Sequence, residues 1–256
     1  SKETASTDAS IGGVAGYVTG NTANCHNYGS ISIDAGLAAG SAMAQSGGAV
    51  IYSAVGGVFG TAGPYISDTG AFTDSGITVK NCTNNAALEL TPSMVNAGGP
   101  TFCLGGIAGA ATANLEVCTN NCDILFKSNV KVVYAGGIAG FASANITNAS
   151  NKGSLVLDGD LDNKVTYSSL SYQAELGGIA GYVTGGNTLE GCANTGDLTL
   201  QNISTSPSAR SYVGGLTGGY KSSNTSIKNS TNSGKVTNKA DTPVCIGGLS
   251  GGLNGA

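Results

Sequence analysis

The chain has 256 residues, of which 42 are glycine and only 10% are charged, and its formal net charge is −4. A high glycine content without a Gly-X-Y period excludes collagen, and a hydrophobic fraction of 40% is too high for a disordered chain. The 11 basic residues form no cluster, so the sequence predicts no nucleic-acid partner. Residues 35–67 carry no charge, but Gln45, Pro64 and several glycines interrupt them. Since no run of about 18 apolar residues occurs, we predict no membrane span.

The first ten residues, SKETASTDAS, are polar, and a repeat begins at Ile11. We therefore predict a polar N-terminal segment at 1–10 and a single repeat domain at 11–256. Each repeat opens with a Gly-Gly pair followed by Val, Ile or Leu, and a further glycine stands three residues after the second Gly. The segments are IGGVAG, VGGVFG, LGGIAG, AGGIAG, LGGIAG, VGGLTG and IGGLSG, with pairs that begin at Gly12, Gly56, Gly105, Gly136, Gly177, Gly214 and Gly247. A dinucleotide fingerprint occurs once per domain, so seven copies exclude a phosphate loop and indicate a repeat architecture.

A second motif follows six of the seven Gly-Gly pairs. Its copies are NCHNYG, NCTNNA, VCTNNC, NASNKG, GCANTG and NSTNSG. The second position is always small, and the fourth is always asparagine: Asn27, Asn84, Asn120, Asn151, Asn194 and Asn232. A short alternating segment comes next, as in SISI, SLVL and DLTL, which predicts a half-buried strand. The segments before several Gly-Gly pairs, such as VIYSAV and VKVVYA, resemble a further strand.

About three short strands per repeat, separated by loops of variable length, predict an all-β fold. We expect a β-solenoid, a right-handed parallel β-helix of six full repeats plus a partial seventh. Six coils stacked at about 4.8 Å give a body about 30 Å long, in which equivalent residues form columns. Glycines in the GGxxG strand let another backbone approach closely. The six asparagines are predicted to form a structural ladder, because Asn tolerates a left-handed turn, bonds nearby backbone and reaches the next coil.

The order GG-[aliphatic]-x-G followed by N-C-x-N-x-G resembles the GLUG repeat of bacterial surface and secreted proteins. The resemblance extends from Ile11 to Gly252, and the two motifs recur together in order six times. It implies an extracellular or cell-surface module of the kind found in adhesin-like proteins and in the stalks of IgA-cleaving metallopeptidases. It implies no catalytic residues, since the chain has no HExxH or other peptidase motif. The inserts at 34–54, 61–79 and 158–175 depart from a tight repeat, and the resemblance gives them no role.

The only histidine, His26, is adjacent to Cys25, which suggests a thiol nucleophile with a base. Neighbours on an extended chain point to opposite faces, and Cys25 occupies the small second position of the motif, so packing explains it better. Cys82 and Cys118 hold that position in consecutive repeats, so the strand spacing predicts that their Cα atoms are about 5 Å apart. Their Cβ atoms would point the same way, which fits a disulfide poorly and favours a buried thiol ladder. The state of three further cysteines stays open: Cys103, Cys122 and Cys245.

The segment DGDLDN places three aspartates at alternate positions, as at the start of a calcium loop: Asp158, Asp160 and Asp162. The EF-hand pattern needs Gly at the sixth position and Glu at the twelfth, where this chain has Asn163 and Ser169. The segment is therefore either an incomplete calcium site or an acidic solvated loop. Calcium is the only cofactor that the sequence suggests.

These observations favour a non-enzymatic cell-surface or secreted module that acts in adhesion, as a stalk or as a fibre component. Its partner would be a protein or glycan on a cell or matrix surface. The alternative is a carbohydrate-active β-helix, either a polysaccharide lyase or hydrolase, or a glycan-binding module. Such enzymes need clustered carboxylates, whereas the 15 acidic and 11 basic residues here are scattered. Tyrosines near the repeat strands keep glycan binding open, although such rings more often pack: Tyr17, Tyr52, Tyr134, Tyr172, Tyr182, Tyr212 and Tyr220.

The last repeat stops at IGGLSGGLNGA, before its asparagine turn. Solenoids normally cover their terminal strands with a capping element, and no amphipathic helix is predicted after Gly234. We therefore expect either that the sequence is a fragment of a longer chain or that copies join end to end.

Overall fold

A computed structural model of the chain describes residues 9–33, 44–46, 49–64, 75–91, 101–127, 132–159, 173–184, 186–203, 211–221, 224–240 and 243–254. In these ranges all regular structure is β-strand. The described residues therefore include no helix long and apolar enough to cross a membrane. The chain winds through six full coils and part of a seventh, numbered here by their Gly-Gly pairs, and each full coil contributes five short strands to the stack.

The strands are numbered in chain order. Coil 1 has β1 (Ala9–Gly12), β2 (Ala15–Val18), β3 (Thr22–Ala23), β4 (His26–Asn27) and β5 (Ile31–Ile33). Coil 2 has β6 (Ala44–Ser46), β7 (Ala49–Gly56), β8 (Phe59–Ala62), β9 (Thr78–Lys80), β10 (Thr83–Asn84) and β11 (Leu88–Leu90). Coil 3 has β12 (Thr101–Gly105), β13 (Ala108–Ala111), β14 (Asn114–Glu116), β15 (Thr119–Asn120) and β16 (Ile124–Lys127).

The remaining coils follow the same order. Coil 4 has β17 (Val132–Gly136), β18 (Ala139–Ala142), β19 (Ile146–Thr147), β20 (Ser150–Asn151) and β21 (Leu155–Asp158). Coil 5 has β22 (Gln173–Gly177), β23 (Ala180–Thr184), β24 (Thr188–Glu190), β25 (Ala193–Asn194) and β26 (Leu198–Gln201). Coil 6 has β27 (Ser211–Gly214), β28 (Thr217–Lys221), β29 (Ser226–Lys228), β30 (Thr231–Asn232) and β31 (Val236–Lys239). Coil 7 has β32 (Val244–Gly247) and β33 (Ser250–Asn254).

Strands at the same place in each coil pair in parallel and build five sheets along the axis, which we call sheets I to V in the order the chain visits them. Sheet I runs β1-β7-β12-β17-β22-β27-β32, and sheet II runs β2-β8-β13-β18-β23-β28-β33. Sheets III, IV and V take one strand from each full coil. Motif residues pair with their equivalents: Gly56 with Gly105, and Asn84 with Asn120. The parallel β-solenoid predicted from the repeat is therefore confirmed, and seven strands at about 4.8 Å span about 29 Å.

Three details differ from the sequence-based expectation. Each full coil has five strands in the stack rather than three, because segments as short as Thr83–Asn84 gain ladder bonds from the coils on either side. The Gly-Gly pair forms a corner rather than lying inside one strand: β7 ends at Gly56, the chain bends through Gly57 and Val58, and β8 begins at Phe59. Within the described ranges, regular structure also begins at Ala9, two residues before the expected domain boundary.

The Gly-Gly corner folds sheet II back against sheet I, so the interior is divided into layers. Sheets I and V bury one apolar cluster between them, in which the rings of Phe102 and Phe126 lie 4.9 Å apart. Sheets II and III bury a second cluster, which includes Ile107 and Leu115. A third and smaller cluster lies between sheets I and II. Sheet I is thus covered on both faces, whereas sheet V alternates: Ile124 and Phe126 of β16 are buried, and Leu125 between them is partly exposed.

Part of the insert at 34–54 adds a strand to sheet I. Strand β6 pairs antiparallel with the first half of β7, the only antiparallel pair among the described strands. Strand β7 is eight residues long, so it reaches beyond the paired part of β1 and gives β6 an edge to join. This insert therefore contributes a hairpin to sheet I.

Candidate functional site

The motif asparagines form a continuous hydrogen-bonded ladder along sheet IV. Each of the first five donates from Nδ2 to Oδ1 of the asparagine in the next coil, at 2.9, 2.9, 2.8, 2.8 and 2.8 Å from the first pair to the last. The amides of the inner four are at most 1% exposed: Asn84, Asn120, Asn151 and Asn194. A buried amide is costly unless it is bonded, so the ladder satisfies groups that would otherwise oppose folding.

Each ladder asparagine also closes a turn in its own coil. All six donate a second bond from Nδ2 to the carbonyl oxygen two residues later, for example from Asn120 to Cys122 at 2.8 Å. In coil 2 the Ala86 N–H returns a bond to Asn84 Oδ1 at 3.3 Å. In the first five asparagines both Nδ2 hydrogens are therefore used, one within the coil and one between coils, which only a primary amide can do.

In the six full coils, the second glycine of the pair packs against the ladder asparagine of its own coil. A Cβ placed on Gly57 would lie 2.5 Å from Cγ of Asn84 and 2.2 Å from the carbonyl oxygen of Gly106 in the next coil. Real Cβ atoms essentially never approach other atoms within 3.0 Å, so the backbone would have to move. The two repeated motifs are therefore one unit, in which the glycine corner leaves the space that the asparagine side chain fills.

The left-handed turn lies three residues before the ladder position. Positive φ angles occur at the first residue of all six motif copies: Asn24 (58°), Asn81 (52°), Val117 (54°), Asn148 (52°), Gly191 (63°) and Asn229 (47°). The expectation that the ladder asparagines themselves adopt this conformation is wrong, because they lie in the extended strands of sheet IV, where the inner four pair on both sides. Val117 is the exception in its column, since a β-branched residue is strained at positive φ.

The small second position of the motif forms a column of thiols. Its members are Cys25, Cys82, Cys118, Ala149, Cys192 and Ser230. Backbone hydrogen bonds keep neighbouring coils in register here: Thr83 N donates to Cys25 O and Thr119 N donates to Cys82 O, both at 2.9 Å. All seven cysteines of the chain are free. The neighbouring Cys118 thiol lowers the pKa of Cys82, and the neighbouring Cys82 thiol together with burial raises the pKa of Cys118.

His26 and Cys25 lie on different faces of β4 and the turn before it. His26 is exposed, whereas Cys25 packs against the apolar cluster between sheets II and III and donates to the Ala23 carbonyl oxygen at 3.6 Å. The arrangement therefore assigns Cys25 to the interior column.

Of the three aspartates predicted as calcium ligands, only Asp158 lies among the described residues, and Asp160 and Asp162 lie outside them. The Asp158 carboxylate accepts bonds from Gln201 Nε2 at 3.0 Å and from Asn202 Nδ2 at 2.7 Å in the next coil. Within the described ranges, no group of three or more His, Cys, Asp or Glu residues could hold a metal ion. Asp158 thus makes a contact between coils, and calcium binding by the segment stays a prediction.

Sequence reasoning missed a buried carboxylate between sheets I and II. Glu175 is only 3% exposed and pairs in register with Tyr134, whose ring stacks on Tyr182 at 5.0 Å. A Cβ on Gly219 would lie 2.3 Å from Glu175 Oε2, so this glycine makes room for the carboxylate. Burial raises the pKa of Tyr134 and Tyr182, and the nearby Glu175 adds to both increases. The sequence did contain a signal for this site: among the seven residues that stand two positions before a Gly-Gly pair, Glu175 is the only charged one.

The tyrosines considered for glycan binding differ in exposure. Tyr134 is buried, Tyr182 and Tyr212 are half-buried, and Tyr17 is 42% exposed. The side chains of Tyr52, Tyr172 and Tyr220 lie outside the described part of the structure. Tyr28, which the sequence interpretation did not include, is 76% exposed.

Neither the family models nor the curated proteins nor the solved structures contain a match to this chain. The resemblance to the GLUG repeat therefore stays a prediction from the motifs. In coils 2 to 5 the geometry assigns a structural role to three recurring positions: the Gly-Gly pair lies at the corner, and the ladder asparagine and the small residue at the second motif position face the interior.

Proposed function

We propose that the chain is a non-enzymatic repeat module of a bacterial cell-surface or secreted protein, which serves as a stalk, adhesion element or fibre component. The observation that carries this proposal is the unbroken register of the asparagine ladder from coil 1 to coil 6. Repeated residues join coils instead of converging on a single point, so each added repeat lengthens the body and preserves its cross-section. A spacer between a surface and a partner needs that property.

Duplication of one coil tests the spacer property directly. Residues 105–135 form the shortest repeat, from one Gly-Gly pair to the residue before the next. A second copy inserted after residue 135 should lengthen the body by about 4.8 Å, measured as the distance between labels on coils 1 and 6. The matched control inserts the same residues in scrambled order, which removes both motifs. A duplicated variant that unfolds, or that shows no change in the distance, would contradict the proposal.

Location is tested on cells that make the protein. An antibody against the folded chain should label intact cells or detect the protein in the medium. Labelling that appears only after lysis would contradict a surface or secreted role.

A second candidate function is glycan binding, and one exposed column favours it. Tyr28, Asn85 and Asn121 each follow the ladder asparagine in coils 1, 2 and 3, and Asn121 Nδ2 donates to Asn85 Oδ1 at 2.8 Å on the exposed surface. An exposed ring beside an exposed amide, Asn121, and a partly exposed one, Asn85, is a suitable surface for a sugar, which stacks on the ring and bonds the amides. A glycan array should then give signals that Tyr28→Ala abolishes. Tyr17→Ala, an exposed ring at another position of the same coil, is the control, and equal loss in both variants would contradict a site at Tyr28.

A further inference from the structure

Three thiols stand in consecutive coils of one interior column. Cys25, Cys82 and Cys118 occupy coils 1, 2 and 3, and the last two are 0% exposed. Each thiol donates to the carbonyl oxygen two residues before it, at 3.6, 3.4 and 3.5 Å respectively. The three side chains therefore leave the backbone in the same direction, separated by the spacing between coils, and Cys25 is partly exposed whereas Cys82 and Cys118 are buried.

The spacing between neighbouring coils determines whether two thiols can form a disulfide or share a metal ion. Side chains in register on paired parallel strands are about 4.8 Å apart, whereas a disulfide needs Cβ atoms about 3.8 Å apart with vectors that converge. Three atoms in a line also cannot surround a tetrahedral ion, which agrees with the absence of any such group of three among the described residues. Two metal–sulfur bonds of about 2.3 Å, placed end to end, span about 4.6 Å, close to the separation of neighbouring thiols.

We propose that Cys82, together with Cys118 or Cys25, binds a soft d10 metal ion, such as Hg(II), Ag(I) or Cu(I), in linear coordination between two coils. Soft thiolate ligands select such ions over hard ones. On binding, each S–H bond breaks as a metal–sulfur bond forms, the proton passes to solvent, and no electron is transferred. Because Cys82 belongs to both pairs, the wild-type column holds one ion.

The surroundings of the column suit a complex with little net charge. Cys82 and Cys118 lie in the apolar cluster of sheets II and III, beside residues such as Val79 and Leu115. Two thiolates with Hg(II) form a neutral complex, so burial costs less for it than for the singly negative complexes that Ag(I) or Cu(I) would form. Cys25 is partly exposed in coil 1 and gives the ion access to the column.

The column supplies its own controls. Cys192 occupies the same position in coil 5, but its neighbours are Ala149 and Ser230, so it is a thiol without a thiol partner. Cys192→Ser should therefore retain the site, whereas Cys82→Ser should lose it. Ala149→Cys should connect Cys118 to Cys192 and raise the capacity of the column from one ion to two.

The experiment loads the reduced full chain with HgCl2 in an excess of glutathione, which removes ions held by single thiols, and counts mercury per chain after gel filtration. We expect one ion for wild type and Cys192→Ser, two for Ala149→Cys and none for Cys82→Ser. The double variant Cys25→Ser/Cys118→Ser keeps Cys82 but has no pair, so it should also retain none, and circular dichroism verifies that each variant is folded. Wild type without bound mercury, or a folded Cys82→Ser variant with the wild-type amount, would overturn the proposal.

Discussion

Replacement of Asn120 by alanine measures what the ladder contributes to stability. The fully buried side chain makes three hydrogen bonds: it donates to Asn151 Oδ1 at 2.8 Å and to the Cys122 carbonyl oxygen at 2.8 Å, and it accepts from Asn84 Nδ2 at 2.9 Å. Alanine leaves these three groups without that partner. An unsatisfied buried polar group costs about 1–3 kcal/mol, so at the low end for each group we expect the free energy of unfolding to fall by about 3 kcal/mol.

The neighbouring residue provides the control. Asn121 donates from Nδ2 to Asn85 Oδ1 at 2.8 Å, the same bond length as in the ladder, but on the exposed surface. Water replaces this bond when it is lost, so Asn121→Ala should change the free energy of unfolding by less than about 0.5 kcal/mol. Urea unfolding of both variants, followed by circular dichroism, gives the two changes. Equal effects would refute the argument that burial makes the ladder bonds stabilising.

Three further predictions concern single positions. Gly137→Ala should prevent native stacking of coils 4 and 5, because its Cβ would lie 2.2 Å from both Asn151 Cγ and the Gly178 carbonyl oxygen; a wild-type melting temperature would disprove this. Val117→Asn should raise the free energy of unfolding by about 1 kcal/mol, since it relieves a β-branched residue at φ 54°, and a lower urea midpoint would contradict it. Burial raises the pKa of Cys103, so the folded chain keeps a proton that the unfolded chain loses above about pH 9, and stability falls as the pH rises beyond that value. Cys103→Ala should therefore flatten the alkaline fall in melting temperature, and an unchanged slope would count against this cause.

The columns could be predicted from the sequence because equivalent residues recur in the same order. Two motifs with fixed internal spacing show that Cys82 stacks on Cys118 and Asn84 on Asn120, whatever the length of the loops between them. The alternating segments could also be identified as half-buried strands, since successive side chains on a strand point to opposite faces. The stacked, parallel architecture follows from these two signals together.

The missed details depend on contacts between distant residues. A two-residue strand such as Thr83–Asn84 has no local pattern and exists only because coils on both sides supply its ladder bonds. The buried position of Glu175 depends on Gly219 in the next coil, which leaves space for its carboxylate. The left-handed position was assigned to the wrong residue because asparagine is common at both the first and the fourth positions of the motif, and only the pairing of sheet IV distinguishes them.

The most direct test of the account is hydrogen exchange of asparagine side-chain amides, measured by NMR. The ladder amides of Asn84, Asn120 and Asn151 are buried and bonded on both Nδ2 hydrogens, so exchange requires the coils to separate. If separation costs about 4 kcal/mol, these hydrogens should exchange about 1,000-fold more slowly than those of the exposed Asn121. Exchange of the ladder amides at the rate of Asn121 would contradict the claim that the asparagines join the coils through the interior.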